Sequence, residues 1–335
     1  MRPLERILVR LPNWLGDVLM ARPLLFALRA AHPGAELWCV GPPTSHGLLI
    51  GDQIVDSLLV WSGDHVLDGL VVARARAWRP DAALVLPPSF SSAWFAWRTR
   101  ARARVGYRGE GRALLLTRAL RGSARGDRHL AEEYLALGAG LGVAGCLEAP
   151  PCLRVSDADV DGARFAVRGT PARDLVPFAL LGPGARYGPA KRWAPERFAE
   201  VGRVLSARGL AVLVVGRGDE RVACEEVAAR IGPRAASLAG RTGLGELVAL
   251  AAHASVAVCN DSGLAHLCAA AGAPTVAVFG STSSAWSAPL GPRVRVVQRA
   301  PVCSPCFART CAIGYPCLNA VEAAMVMKAA LEVAA

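Results

Sequence analysis

The feature that most constrains this chain is an alternation that runs, breaks and starts again. Arg6–Leu11 (RILVRL) is a short apolar run of strand character, and 12–16 is a loop. From Asp17 the apolar positions Val18, Leu19, Leu24, Leu25 and Leu28 recur at helical spacing up to Pro33. Glu36–Gly41 (ELWCVG) reads as a second strand and Ala82–Leu86 as another, closed by Pro87-Pro88. Buried runs alternating with amphipathic helices imply a parallel, doubly wound sheet, because each parallel strand must return through a crossover. A loose stretch rich in Pro, Arg and Asp (149–174) interrupts the pattern, which then resumes. Phe178–Leu181 is a strand ending in Gly182-Pro183-Gly184, and Pro195–Arg208 is a helix with proline in its first turn. Ala211–Gly216, Ser255–Cys259 and Pro274–Phe279 are further strands. At 335 residues, each half has room for its own core. The expected fold is α/β, with two doubly wound Rossmann-like domains at 1–165 and 166–320 and a C-terminal helix at 321–335. A single large Rossmann sheet is the alternative, disfavoured by the break and the restart.

Composition narrows the class. Hydrophobic residues make up 53%, yet the richest run, Leu267–Gly280, is broken at Gly272-Ala273-Pro274, so no membrane-spanning helix is expected. No apolar core with a small-residue cleavage site marks the N-terminus, which points to the cytosol. The net charge of +11 is almost wholly arginine, since Lys191 and Lys328 are the only lysines. Such an excess favours phosphorylated or anionic partners without choosing among them.

Three loops lie where strands end, the edge at which open α/β sheets bind ligands and helix N-termini face anions. In Pro12-Asn13-Trp14-Leu15-Gly16-Asp17, Gly16 permits close backbone approach. Asp17 is either a helix cap, worth about 1 kcal/mol, or a carboxylate base. The stretch GPGARYGPAKRW (182–193) is a diphosphate cradle or a solvated basic loop; it lacks the Walker A pattern. In Asn260-Asp261-Ser262-Gly263-Leu264-Ala265-His266, Asp261 and Ser262 are suited to cap a helix running to Ala271. His266 then reads as an ordinary side chain.

Ten cysteines in a cytosolic chain argue against a disulfide framework. Four of them, Cys303, Cys306, Cys311 and Cys317, crowd a proline-rich stretch. Their spacing suits a structural Zn²⁺ or an iron centre, or simply four reduced thiols. Arg98, Arg100, Arg102, Arg104, Arg108 and Arg112 form a basic segment whose plain reading is a solvated face. Just before it, Phe90, Trp94, Phe95 and Trp97 are read mostly as core, with a membrane-surface contact as the other option.

Taken together, GDVLMA (16–21), GYRGEGR (106–112), GPGARYGPAKRW (182–193) and NDSGLAHLCAAAGAP (260–274) resemble the heptosyltransferases of lipopolysaccharide core synthesis, glycosyltransferase family 9. With GPAKRW and the cysteine motif, the resemblance is to the ADP-heptose:LPS heptosyltransferase II branch, and it spans nearly the whole chain in order. It implies a GT-B fold, two domains facing across a cleft. It also implies inverting transfer of L-glycero-D-manno-heptose from ADP-heptose to the lipopolysaccharide inner core, as the second heptose on Hep-Kdo2-lipid A. By the same resemblance Asp17 is the general base. Gly16, Arg186, Tyr187, Lys191, Asp261, Ser262, Gly263 and His266 bind the donor, and Asp219 or Glu220 contacts the nucleoside. Arg104, Arg108 and Arg112 are expected to meet the anionic acceptor at the inner face of the inner membrane. No DxD-like pair stands at these loops, so catalysis without a divalent cation is expected. Heptosyltransferase I or another family 9 transferase, and a nucleotide-sugar 2-epimerase, share the architecture. A nucleic-acid-binding protein would fit the charge but leave the three loops unexplained.

Overall fold

The structure is a computed structural model that describes residues 4–335. The chain forms two compact units, Met1–Pro150 and Pro151–Ala335. In the first, β1 (Arg6–Arg10), α1 (Leu15–Ala31), β2 (Glu36–Gly41), α2 (Pro43–Leu49), β3 (Ser57–Val60), α3 (His65–Trp78), β4 (Ala82–Val85), α4 (Phe90–Arg98), β5 (Ala103–Tyr107), β6 (Arg118–Leu120) and α5 (Leu130–Gly138) follow one another. The six strands are all parallel, in the order β3-β2-β1-β4-β5-β6.

The second unit runs α6 (Asp157–Ala166), β7 (Phe178–Gly182), α7 (Pro195–Ala207), β8 (Ala211–Val214), α8 (Arg221–Ile231), β9 (Ala235–Ser237), α9 (Leu244–His253) and β10 (Val256–Asn260). It continues through α10 (Gly263–Ala270), β11 (Thr275–Phe279), α11 (Ser284–Ser287), β12 (Val294–Gln298), α12 (Pro316–Asn319) and α13 (Ala323–Ala334). Its sheet, β12-β11-β10-β7-β8-β9, repeats the arrangement of the first. In each, the first strand lies beside the fourth, where the winding reverses. β7, β8, β10 and β11 are buried along their whole length, as strands covered by helices on both faces must be.

The boundary differs from the one expected near residue 165. The stretch read as loose contains a capping box: Ser156 Oγ accepts from the Asp159 amide at 3.2 Å, and Asp159 Oδ2 accepts from the Ser156 amide at 3.3 Å. The helix it starts, α6, packs on α9 through two glycines. A Cβ at Gly162 would stand 2.8 Å from the Glu246 side chain, and one at Gly245 would collide with Asp159. Residues 151–165 therefore belong to the second unit. The C-terminal helix, α13, packs on α7 and the sheet rather than standing apart. No described helix is long and apolar enough to cross a membrane.

Candidate active site

In the second unit Gly182 is level with Cys259, so the loops after β7 and β10 leave the sheet side by side at the reversal. Asn260, fully buried at the end of β10, ties them together. Its Nδ2 donates to the Pro183 carbonyl at 2.6 Å and its Oδ1 accepts from the Trp193 amide at 3.0 Å. Trp193 is a core residue whose indole N–H donates to the Val321 carbonyl at 2.9 Å and whose ring meets Phe198 edge-on. The tryptophan of the KRW element is thus the anchor that sets Lys191 in place.

Lys191 ends a single 3₁₀ turn, Pro189–Lys191. Its Nζ lies 2.6 Å from Asp261 Oδ2 and 4.9 Å from the centroid of the Tyr187 ring. Asp261 is buried, and the Thr282 hydroxyl donates to the same oxygen. The expected helix cap is therefore not made. Asn260 and Asp261 face tertiary partners, and Ser262, at the N-cap position of α10, makes no capping bond. The buried Ser262 hydroxyl has no partner among the described residues. Gly263 and Leu264, at the opening of α10, carry amides that a helix leaves unpaired. A bare hydroxyl, free amides and an ammonium at one edge are what phosphate oxygens require. His266 is buried one turn further along α10.

The two acidic residues after β8 separate. Asp219 is exposed and pairs with the equally exposed Arg217 at 3.1 Å. Glu220 accepts from the Arg217 amide at 3.0 Å, and its carboxylate lies over one glycine in each of the loops after β7 and β8. A Cβ at Gly184 would stand 2.2 Å from Glu220 Oε1, and one at Gly216 3.3 Å from Oε2. Glu220 faces the carboxyl edge of the sheet and Asp219 faces solvent. Arg186 is exposed and Tyr187 half-buried.

The cysteine-rich segment, distant in sequence from these loops, is folded directly onto them. The Tyr187 hydroxyl donates to the Phe307 carbonyl at 2.5 Å, the Ala190 amide to the Arg309 carbonyl at 3.0 Å and the Phe307 amide to the Ser281 carbonyl at 2.8 Å. Among the described residues, no group of three or more His, Cys, Asp or Glu side chains is arranged to hold a metal, so the structural Zn or Fe expected at the four cysteines is not supported. Cys303 and Cys306 lie exposed on a loop while Cys317 is drawn into the apolar core on α12. Burial holds the Cys317 thiol above its ordinary pKa.

In the first unit Gly16 is buried and Asp17 half-buried in the first turn of α1, directly after β1. Asp17 is not the cap residue; Trp14 is, and its side chain makes no capping bond. The Tyr134 hydroxyl on α5 is pushed well above its ordinary pKa, by burial first and by the Asp17 charge second, which places the carboxylate near that phenol. Further along α1, Arg22 holds Asp52 in a buried two-pronged ion pair, Nε–Oδ2 2.7 Å and Nη2–Oδ1 2.9 Å.

The arginine segment does not present the expected trio. Arg104 sits at the amino end of β5, away from the ligand-binding edge, with its guanidinium engaged by the Leu115 and Ala101 carbonyls. Arg112 is fully buried, donates to the Pro87 and Ser89 carbonyls, and is held below its ordinary pKa chiefly by that burial. Arg108, after the carboxyl end of β5, is exposed. The aromatic residues before the segment also differ from the core reading. Phe95 alone is core, whereas Phe90, Trp94 and Trp97 are 46%, 43% and 45% exposed and stack in a row along α4.

The family model described as glycosyltransferase family 9 (heptosyltransferase) matches residues 73–315. The chain is 32% identical over 308 residues to lipopolysaccharide heptosyltransferase 2 of Salmonella typhimurium and 31% identical over 308 residues to that of Escherichia coli, covering 88% of each chain in both cases. Among solved structures it matches E. coli ADP-heptose LPS heptosyltransferase II with a TM-score of 0.81 at 27% identity over 98% of each chain. A family 9 glycosyl transferase of Veillonella parvula matches with a TM-score of 0.86 at 22% identity, covering 99% of this chain and 98% of that one, a likeness of fold.

Proposed function

The chain belongs to glycosyltransferase family 9, the heptosyltransferases, and on that premise we propose that it transfers L-glycero-D-manno-heptose from ADP-heptose to the lipopolysaccharide inner core, as the second heptose on Hep-Kdo2-lipid A. The observation that carries the donor half of this reading is the edge where Lys191, the unpartnered Ser262 hydroxyl and the opening amides of α10 converge. The diphosphate lies there, with Arg186, Tyr187, Gly263 and His266 around it. Glu220, rather than Asp219, is the acidic residue directed to the nucleoside.

The reaction is then a single displacement. The acceptor hydroxyl oxygen attacks the anomeric carbon as the bond from that carbon to the phosphate oxygen breaks. ADP departs with the bonding pair, and Asp17 takes the hydroxyl proton; the configuration inverts. Sugar hydroxyls are weak nucleophiles, so a carboxylate in reach of the proton is worth about 10²–10⁴ in rate. Charge growing on the departing diphosphate is met by Lys191 and the helix amides, without a catalytic divalent cation. Arg108 remains as the acceptor contact of the arginine trio, and the exposed α4 aromatics, flanked by Arg98 and Arg100, suit a peripheral position on an anionic membrane face.

The test is acceptor-dependent release of ADP from ADP-heptose, with analysis of the product. Asp17→Ala is expected to lower kcat by about 10²–10⁴ while ADP binding stays within twofold of wild type. A variant turning over at near-normal rate would remove Asp17 from the mechanism. Release of ADP without any acceptor would remove the transferase reading.

A further inference from the structure

Lys191 is only part of a phosphate site, because its charge is already answered. Asp261 lies 2.6 Å from its ammonium, so the pair together carries no net charge. A diphosphate that gains charge as it leaves needs a further cation nearby. In the loop after β7, Arg186 is exposed, and Arg192 turns back to donate to the Ala185 carbonyl at 3.2 Å. The second cation on the Tyr187 ring comes instead from the cysteine-rich segment. Arg309 Cζ lies 5.4 Å from the centroid of that ring, the ring Lys191 also approaches. Arg309 is exposed and has no carboxylate partner among the described residues.

The surrounding backbone fixes this placement. The Arg309 carbonyl accepts from the Ala190 amide at 3.0 Å, directly before Lys191. The Tyr187 hydroxyl reaches the Phe307 carbonyl, and Ser281 Oγ donates to the Ala308 carbonyl at 3.1 Å, beside Thr282. Gly188 has no room for a side chain, because a Cβ there would stand 2.5 Å from the Arg309 carbonyl oxygen. Residues 307–309 are therefore seated between the loops after β7 and β11, and the guanidinium is carried to the same aromatic face as the ammonium.

We propose that Arg309 is a donor-binding residue, a further cation on the nucleoside diphosphate that shares the Tyr187 ring with Lys191, and that the cysteine-rich segment serves to deliver it. The proposal rests on the donor reading above. With the Lys191–Asp261 pair neutral overall, the Arg309 charge is left to meet the added charge of a distal phosphate, so its loss is expected to weaken a diphosphate more than a monophosphate. A charge-assisted hydrogen bond to phosphate is worth about 10- to 100-fold in affinity.

The experiment is calorimetric titration of the wild-type protein, Arg309→Ala and Arg309→Lys with ADP and with AMP, alongside KM for ADP-heptose. For Arg309→Ala, ADP affinity is expected to fall at least tenfold while AMP affinity changes less than twofold, with Arg309→Lys recovering part of the loss. Equal weakening of ADP and AMP would show a structural role for the segment and overturn the proposal, as would no change in either. Failure of the wild type to bind ADP would reject the donor reading itself, and this proposal with it.

Discussion

The pair formed by Lys191 and Asp261 yields a prediction in which stability and binding come apart. Lys191→Met removes the ammonium and leaves the Asp261 carboxylate, 3% exposed, with the Thr282 hydroxyl as its remaining donor. Removing one partner of a buried pair costs about 3–5 kcal/mol. Because the lysine is 13% exposed and Thr282 still donates, the lower figure applies, about 3 kcal/mol. For a unit of this size that corresponds to roughly 6–12 °C in Tm. The double variant Lys191→Met/Asp261→Asn leaves no uncompensated charge, and the amide keeps a partner in Thr282. Its stability should return to within about 1 kcal/mol of wild type, although donor binding stays lost in both variants. Scanning calorimetry measures the shift, and hydrogen exchange at the β7 and β10 amides assigns the transition to the second unit. If the single variant is as stable as wild type, or the double variant is the less stable of the two, Lys191 does not compensate the buried carboxylate in the way described.

Asn260→Ala leaves the Pro183 carbonyl and the Trp193 amide without their buried partners, at about 1–3 kcal/mol each; thermal unfolding should show the loss, with weaker ADP binding in calorimetry. Native labelling with a thiol reagent at pH 8 should modify Cys146, Cys152, Cys303 and Cys306 quickly and spare the buried Cys39, Cys224, Cys259, Cys268 and Cys317. Burial, and then Glu220 and Glu225, push the Cys224 thiol up from 9.0 to about 12, so the native state keeps a proton that the unfolded chain releases. That stability is complete below pH 9 and is lost as pH rises toward 12, by at most about 1.4 kcal/mol per pH unit; Cys224→Ala should flatten the fall of Tm above pH 9. Replacing Trp94 and Trp97 together by alanine should reduce cosedimentation with anionic vesicles without changing ADP affinity.

Much of the fold was legible because burial on both faces writes itself as continuous apolar runs. Strands β2, β7, β10 and β11 fall within a residue of where the sequence places them. The short edge strands β6 and β9 carry no such run, being partly exposed, and only their neighbours' hydrogen bonds define them. The domain boundary is hidden in the sequence although Ser156-Asp157-Ala158-Asp159 carries the capping pattern, because prolines and arginines around it mask a helix with little apolar surface. In the site, the three loops are visible in the sequence but the partners of their side chains are not. Asp261 has the composition of a cap, yet a lysine seventy positions upstream outcompetes the helix end. The arginines illustrate the same limit: nothing in sequence separates Arg112, sealed beneath α4 by carbonyls, from the exposed Arg108. Arg309 and Thr282 gave no signal at all, since both act through contacts between loops remote in sequence.

The seating of residues 307–309 on the loop after β7 has a consequence for how the protein is made. Tyr187 waits for Phe307, and Trp193 waits for Val321, across separations of 120 and 128 residues. At about 5–20 residues per second a ribosome needs on the order of 6–25 s to supply those partners. During that interval the β7 loop has its strand but not its clasp, and Tyr187 and the Trp193 indole stay open to chaperones. The first unit ends at Pro150 and all of it is synthesised before this interval begins, whereas a nascent chain ending before Phe307 lacks the partners of Tyr187 and Trp193. Ribosome-bound chains of increasing length, probed by limited proteolysis, should therefore gain protection in the second unit in one late step after Val321 has emerged.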